Sequence, residues 1–98
     1  MLVGAFQRER RLLIISPHIS WNPVEGELAL FDARTGAYHA LNASGAAIWR
    51  AIAAGKNGDD LIDSLAAAHG VPRDMMATDV AAFVADALAR ELLIEATP

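Results

Sequence analysis

Between Tyr38 and Trp49 the spacing of apolar residues changes from two to about 3.6 residues, the switch from a strand to a helix. Tyr38 and Ala40 fall on one face of an extended segment, His39 and Leu41 on the other. Asn42 and Ser44 follow at once, and either can accept a hydrogen bond from the orphan amides of a helix start. Ala46, Ala47, Ile48, Trp49, Ile52 and Ala53 then recur with helical spacing until Gly55. A strand that runs into a packed helix with no linker commits this part of the chain to a sheet and a helix sharing one core.

Upstream, the pattern extends the sheet. Ile19 and Trp21 alternate with polar neighbours before Pro23, which suits an edge strand because proline cannot donate to a ladder. Glu25 and Gly26 make a turn, and Leu28 to Asp32 form the next strand. Asp32-Ala33-Arg34-Thr35-Gly36 is a second turn signal, closed by a glycine that can take a positive φ. Tyr38 to Leu41 is the return strand of a hairpin. Leu12 to Ser16 reads as either a short strand or a packed tail, and residues 1–17 are an N-terminal extension of open structure.

Downstream, the pattern is helical. Asp59 or Asp60 opens a second helix, Leu61, Ile62, Leu65 and Ala66 form its apolar stripe, and Gly70 ends it. Pro72 and Asp74 open a third, in which Met76, Val80, Phe83, Val84, Ala87 and Leu88 fall at i, i+4, i+7, i+8, i+11 and i+12. Leu92 to Ile94 closes the chain as a short strand or a docked tail. The expected architecture is α+β and winged-helix-like, a three-stranded antiparallel sheet followed by a three-helix bundle in one domain over 1–98.

Composition supports a packed core and narrows the chemistry. The 98 residues are 54% hydrophobic and 20% charged, enough apolar material to bury roughly two-thirds of the unfolded surface. The absence of cysteine removes disulfides, thiolate nucleophiles and Cys-based metal sites. The longest apolar run near the N-terminus, Leu12 to Ile15, is too short for a membrane span or a signal-peptide core. These features suit a soluble, cytoplasmic protein.

Catalytic chemistry needs a nucleophile, a base and an electrophile that converge. His18, His39 and His69 show no metal-ligand spacing, and His69 near a helix C-terminus is explained by the dipole. Asp59, Asp60 and Asp63 lack the alternate ligands of a calcium loop and suit helix capping and a solvated face. Lys56 between Gly55 and Gly58 does not complete a phosphate loop. Trp49 is a core residue by its position beside Ile48, whereas Trp21 on an edge strand fits either packing or binding. No enzyme activity, cofactor or metal is expected.

Three short helices after a small sheet also outline a DNA-binding winged helix. Charge argues against that use. Residues 1–42 balance four basic against four acidic side chains, whereas residues 43–98 hold four against eight and carry all of the net −4. Duplex affinity rests on cations meeting phosphates. A transcriptional regulator and a docking subunit of a larger enzyme remain the alternatives to a peptide binder.

The run from Leu30 to Trp49, Leu-Phe-Asp-Ala-Arg-Thr-Gly-Ala-Tyr-His-Ala-Leu-Asn-Ala-Ser-Gly-Ala-Ala-Ile-Trp, resembles the PqqD-like proteins, recognition elements of pathways that modify ribosomally made peptides. Gly55, Leu65-Ala66 in the second helix, Asp79-Val80, Phe83 and Leu88 in the third, and the ending Leu92-Leu93-Ile94-Glu95 extend the likeness over about residues 24–95. The stretch through Arg11 has no counterpart, and the first strand matches poorly. The resemblance implies a non-catalytic peptide chaperone that holds a precursor's leader segment for a protease, cyclase or radical enzyme, without nucleic acid or membrane. It is similar to the stand-alone elements of lasso-peptide pathways. It also implies that the leader adds an antiparallel strand to Ala37, Tyr38, His39, Ala40 and Leu41, in a groove walled by Asp79, Val80, Phe83, Ala87 and Arg90. The apolar members of that wall suit the core equally well.

Overall fold

A computed structural model describes residues 12–96. Three strands, β2 (Ile19–Val24), β3 (Glu27–Asp32) and β4 (Ala37–Leu41), form an antiparallel sheet in that order. Helices α1 (Ala43–Ala53), α2 (Gly58–His69) and α3 (Arg73–Ala89) follow. The expected sheet-then-bundle order is therefore present. One element was not expected as a pair: β1 (Leu12–Ile15) and β5 (Leu93–Ala96) form a separate antiparallel ladder, with Leu12 opposite Ala96 and Ile15 opposite Leu93. The two segments left open as strand or tail are thus each other's partners. The arginines Arg8, Arg10 and Arg11, and the rest of the extension before Leu12, lie outside the described residues.

The two hairpin turns set the sheet's register. Glu25 and Gly26 both have positive φ, 51° and 86°, the conformation of a two-residue turn whose twist matches the flanking strands. Gly36 at φ 77° closes the second turn, where its amide donates to the Asp32 carbonyl at 2.8 Å. The Asp32 carboxylate also accepts from the Arg34 amide at 2.8 Å, a side-chain turn that stabilises the bend.

Asn42, rather than Ser44, caps α1: its Oδ1 accepts from the Gly45 amide at 2.9 Å. The helix begins one residue after β4 ends, with Ala43. Gly70, at φ 64°, terminates α2 in the left-handed conformation. The start of α2 is at Gly58, so Asp59 and Asp60 sit in its first turn against the positive dipole end.

The core lies between one face of the sheet and the helices. Leu28 and Leu30 of β3 meet Ile48, Trp49 and Ile52 of α1, Leu61 and Leu65 of α2, and Met76 and Val80 of α3. Trp49 has no solvent exposure and meets Trp21 edge to face with ring centroids 5.8 Å apart. Trp21 keeps 37% of its surface exposed and so combines packing with a rim position. Met76 is buried, as its place in the apolar stripe implies, and Met75 is exposed.

Candidate peptide-binding site

β4 is an edge strand of the three-stranded sheet. Which of its backbone groups face the open edge follows from hydrogen-bond parity. The Ala33 amide donates to the His18 carbonyl, extending the β2–β3 ladder by one pair beyond Ile19–Asp32. Residues of β3 alternate between neighbours, so the odd-numbered ones bond to β2 and the even-numbered ones to β4. Leu28, Leu30 and Asp32 pair with Leu41, His39 and Ala37. His39 and Leu41 therefore spend their amides and carbonyls on β3, and the Ala37 amide donates to Thr35 Oγ1 in the turn at 3.2 Å. Tyr38 and Ala40 direct theirs outward. The same parity places the nitrogen of Pro23 on the outer side of β2, where a missing donor costs the ladder nothing.

The two outer edges differ in protection. β2 carries Pro23, a residue that blunts strand addition. The Leu13 amide of β1 is covered by the Asn57 side chain at 2.6 Å. β4 reads Ala-Tyr-His-Ala-Leu, with no proline, lysine or acidic residue along it. It is an unguarded edge.

Across from it stands α3. At one end Phe83 closes on the start of α1: a methyl group placed on Gly45 would lie 3.3 Å from Phe83 Cε1 and 3.6 Å from Leu41 Cβ. Glycine at this buried helical position permits the close approach of ring and backbone. At the other end, the hairpin turn is tied to the residue after α3. Arg34 donates from Nη1 to Glu91 Oε1 at 2.6 Å and from Nη2 to Asp32 Oδ2 at 3.2 Å. The Glu91 carbonyl accepts from Ser16 Oγ at 2.8 Å and lies 3.1 Å from His18 Nε2. β4 and the C-terminal half of α3 are thus joined at both ends. The five residues of β4 span about 17 Å at ~3.4 Å each, room for a short added strand.

The expected site residues divide by what they present. His39 and Leu41 are half-buried on the helix-facing side of β4, and Ala37 is exposed at its start. Tyr38 points its ring to the outer face, 74% exposed and packed on Phe31 at 5.0 Å, so its offering to the groove is backbone. Ala40 contributes in the same way. On α3, Phe83 is half-buried, Asp79 and Arg90 are exposed, and Val80 and Ala87 are buried in the core. Val80 and Ala87 therefore support the wall from behind, which resolves the core-or-groove alternative at those two positions. Arg90 is paired with Asp86 at 3.1 Å, and Arg73 bonds to Asp59 and Asp63. Among the described residues, Asp79 makes no ion pair. A pocket of about 170 Å³ opens beside it, lined in part by Ser44, Ile48, His69 and Met76. Another, about 480 Å³, lies between β1, Trp21 and the end of α1 and shares no lining residue with β4 or α3.

Sequence reasoning did not single out Gly45, Arg34 or Glu91 as groove residues. Gly45 could have been found, since glycine inside a helix is a cost that signals close approach. Arg34 and Glu91 are 57 residues apart, and nothing local connects them.

Asp32 is the one carboxylate deep in this network, 3% exposed. The Arg34 guanidinium holds its carboxyl below the ordinary aspartate range, outweighing the burial that pushes it up. A lowered folded-state value contributes stability above the unfolded value and loses it as pH falls through the folded one. Acid titration of the wild-type chain, followed by circular dichroism, is thus expected to show stability falling at pH values below the ordinary aspartate range. Asp32→Asn flattens that part of the curve.

No curated protein matches the chain. Two solved structures are similar. One is "TbiB1 in Complex with the TbiA(beta) Leader Peptide", at TM-score 0.77 and 29% identity over 82% of this chain and 93% of that one. The other is "Lasso peptide synthetase B1 complexed with the leader peptide", at TM-score 0.76 and 26% identity over 84% and 96%. The family described as coenzyme PQQ synthesis protein D (PqqD) matches residues 27–93, a span that begins with β3 and ends at the first residue of β5. The chain belongs to the PqqD family.

Proposed function

We propose that this protein captures the leader segment of a ribosomally made precursor peptide and presents it to a separate maturation enzyme, with no catalytic group or cofactor of its own. The observation that carries the reading is the unguarded edge of β4 facing α3. Tyr38 and Ala40 offer two amides and two carbonyls there, and an antiparallel strand satisfies all four. The side chains of Phe83, His39 and Leu41 supply apolar and polar surface beside that edge, and Asp79 favours a neutral or cationic residue on the bound segment. The two similar structures each hold a leader peptide. The name of the second, a lasso peptide synthetase B1, also favours a lasso-peptide pathway, in which the recipient is a protease or cyclase. No helix among the described residues is long and apolar enough to cross a membrane, in keeping with work in the cytoplasm.

The nucleic-acid reading fares worse on charge. Both arginines of the α3 region are neutralised by aspartates, so the helix that would enter a groove presents no free cation among the described residues. Fluorescence anisotropy with a labelled synthetic leader, taken from the precursor encoded beside this chain, tests the proposal. Saturable binding is expected, with a scrambled peptide and duplex DNA at low salt both silent. A flat leader titration, or tight DNA binding, overturns it.

A further inference from the structure

We propose that Arg34 and Glu91 are positioning residues that hold the two walls of the leader groove at a fixed separation; this rests on the leader-binding reading of β4. The argument begins at the ends of the helices. α2 ends on Gly70 at φ 64°, whereas α3 is followed by Glu91 at φ 60°. Left-handed backbone is easiest for glycine and costs a residue with a side chain. At position 91, then, a glutamate occupies a site where glycine serves the backbone better. Its side chain makes one strong contact, the 2.6 Å bond to Arg34. That bridge is exposed, with Arg34 43% and Glu91 64% accessible, and exposed ion pairs add little to stability. Neither the backbone nor the stability of the fold accounts for glutamate here.

Geometry supplies the reason. Arg34 lies in the turn that leads into β4, with its other nitrogen on the buried Asp32 carboxylate. Glu91 lies just past α3, with its carbonyl held by Ser16. The Glu91 carbonyl is also met by His18 Nε2 at 3.1 Å, from the segment before β2, so the Arg34–Glu91 bond is the direct side-chain link from the turn that leads into β4 to the residue after α3. At the far end Phe83 rests on Gly45 through apolar contact alone. The bridge is the polar tie that keeps the mouth of the groove from splaying. A groove already at the right width needs no ordering when the leader docks, and lost pre-organisation lowers apparent affinity by the fraction of competent molecules.

The test uses the full chain and the labelled leader described above, with thermal melting measured on every variant. Glu91→Gly removes the bridge and relieves the backbone. It is expected to melt at or above the wild-type temperature while its Kd rises about three- to tenfold. Arg34→Ala is expected to raise Kd similarly, and adding Glu91→Gly to it should change Kd no further, because both act through one bond. Glu91→Gln, which keeps an acceptor for Arg34, recovers part of the affinity. A Glu91→Gly chain that binds like wild type overturns the positioning role and leaves the leader reading standing. So does one that loses melting temperature and affinity together, since that marks a merely structural residue. A wild-type chain that does not bind the leader overturns the underlying reading, and this inference with it.

Discussion

Replacing Trp49 by alanine is expected to destabilise the fold by about 3–5 kcal/mol, read as a shift in urea unfolding. Domains of this kind are stable by only ~5–15 kcal/mol in total, so much of the population will be unfolded under mild conditions. Three facts set the size of the effect. Trp49 has no exposure, it sits on the helix that follows β4 directly, and it meets both the β3 leucines' cluster and the Trp21 ring. The loss is one of packing and not of hydrogen bonding, because Trp49 Nε1 has no acceptor among the described residues. Trp49→Phe is therefore expected to cost less than half as much: it keeps most of the apolar contact and leaves no polar group stranded. Equal losses from the two variants would show that the indole nitrogen matters and that the core has been misassigned.

Prolines placed at neighbouring positions of β4 are expected to have opposite consequences. Ala40→Pro deletes an outward amide, as Pro23 already does on β2. The chain should remain folded, and leader affinity should fall about tenfold or more, from one lost main-chain bond and the ring's obstruction of the docking strand. His39→Pro deletes an amide committed to Leu30 of β3, which breaks the ladder and lowers stability itself. Circular dichroism separates the two: a folded chain without binding at position 40, a destabilised chain at position 39. If Ala40→Pro binds leader normally, the peptide does not add to this edge.

The hairpin and the three helices were readable from the sequence because each is encoded by local periodicity and punctuation. Alternation in Tyr38 to Leu41, the cap at Asn42 and the glycine at Gly70 are all signals carried within a few residues. The β1–β5 ladder was not readable. Leu12 to Ile15 and Leu93 to Ala96 are short, and neither carries any mark of a partner about 80 residues away. The helical stripe of α3 named its inward face correctly, but periodicity does not tell Phe83 at the rim from Val80 and Ala87 inside it, since all three fall within about 60° of one another around the helix, inside one apolar stripe. The left-handed Glu91 was hidden for a related reason: a helix end without glycine or proline gives no stop signal.

Backbone hydrogen exchange, resolved amide by amide with and without saturating leader, bears most directly on strand addition at β4. The amides of Ala37, His39 and Leu41 are already committed to β3 or its turn and should change little. Those of Tyr38 and Ala40 should pass from fast to slow exchange when the peptide docks. Unchanged exchange at both, with new protection at Trp21 on the outer side of β2 instead, would contradict docking at β4 and move the site to the other edge of the sheet.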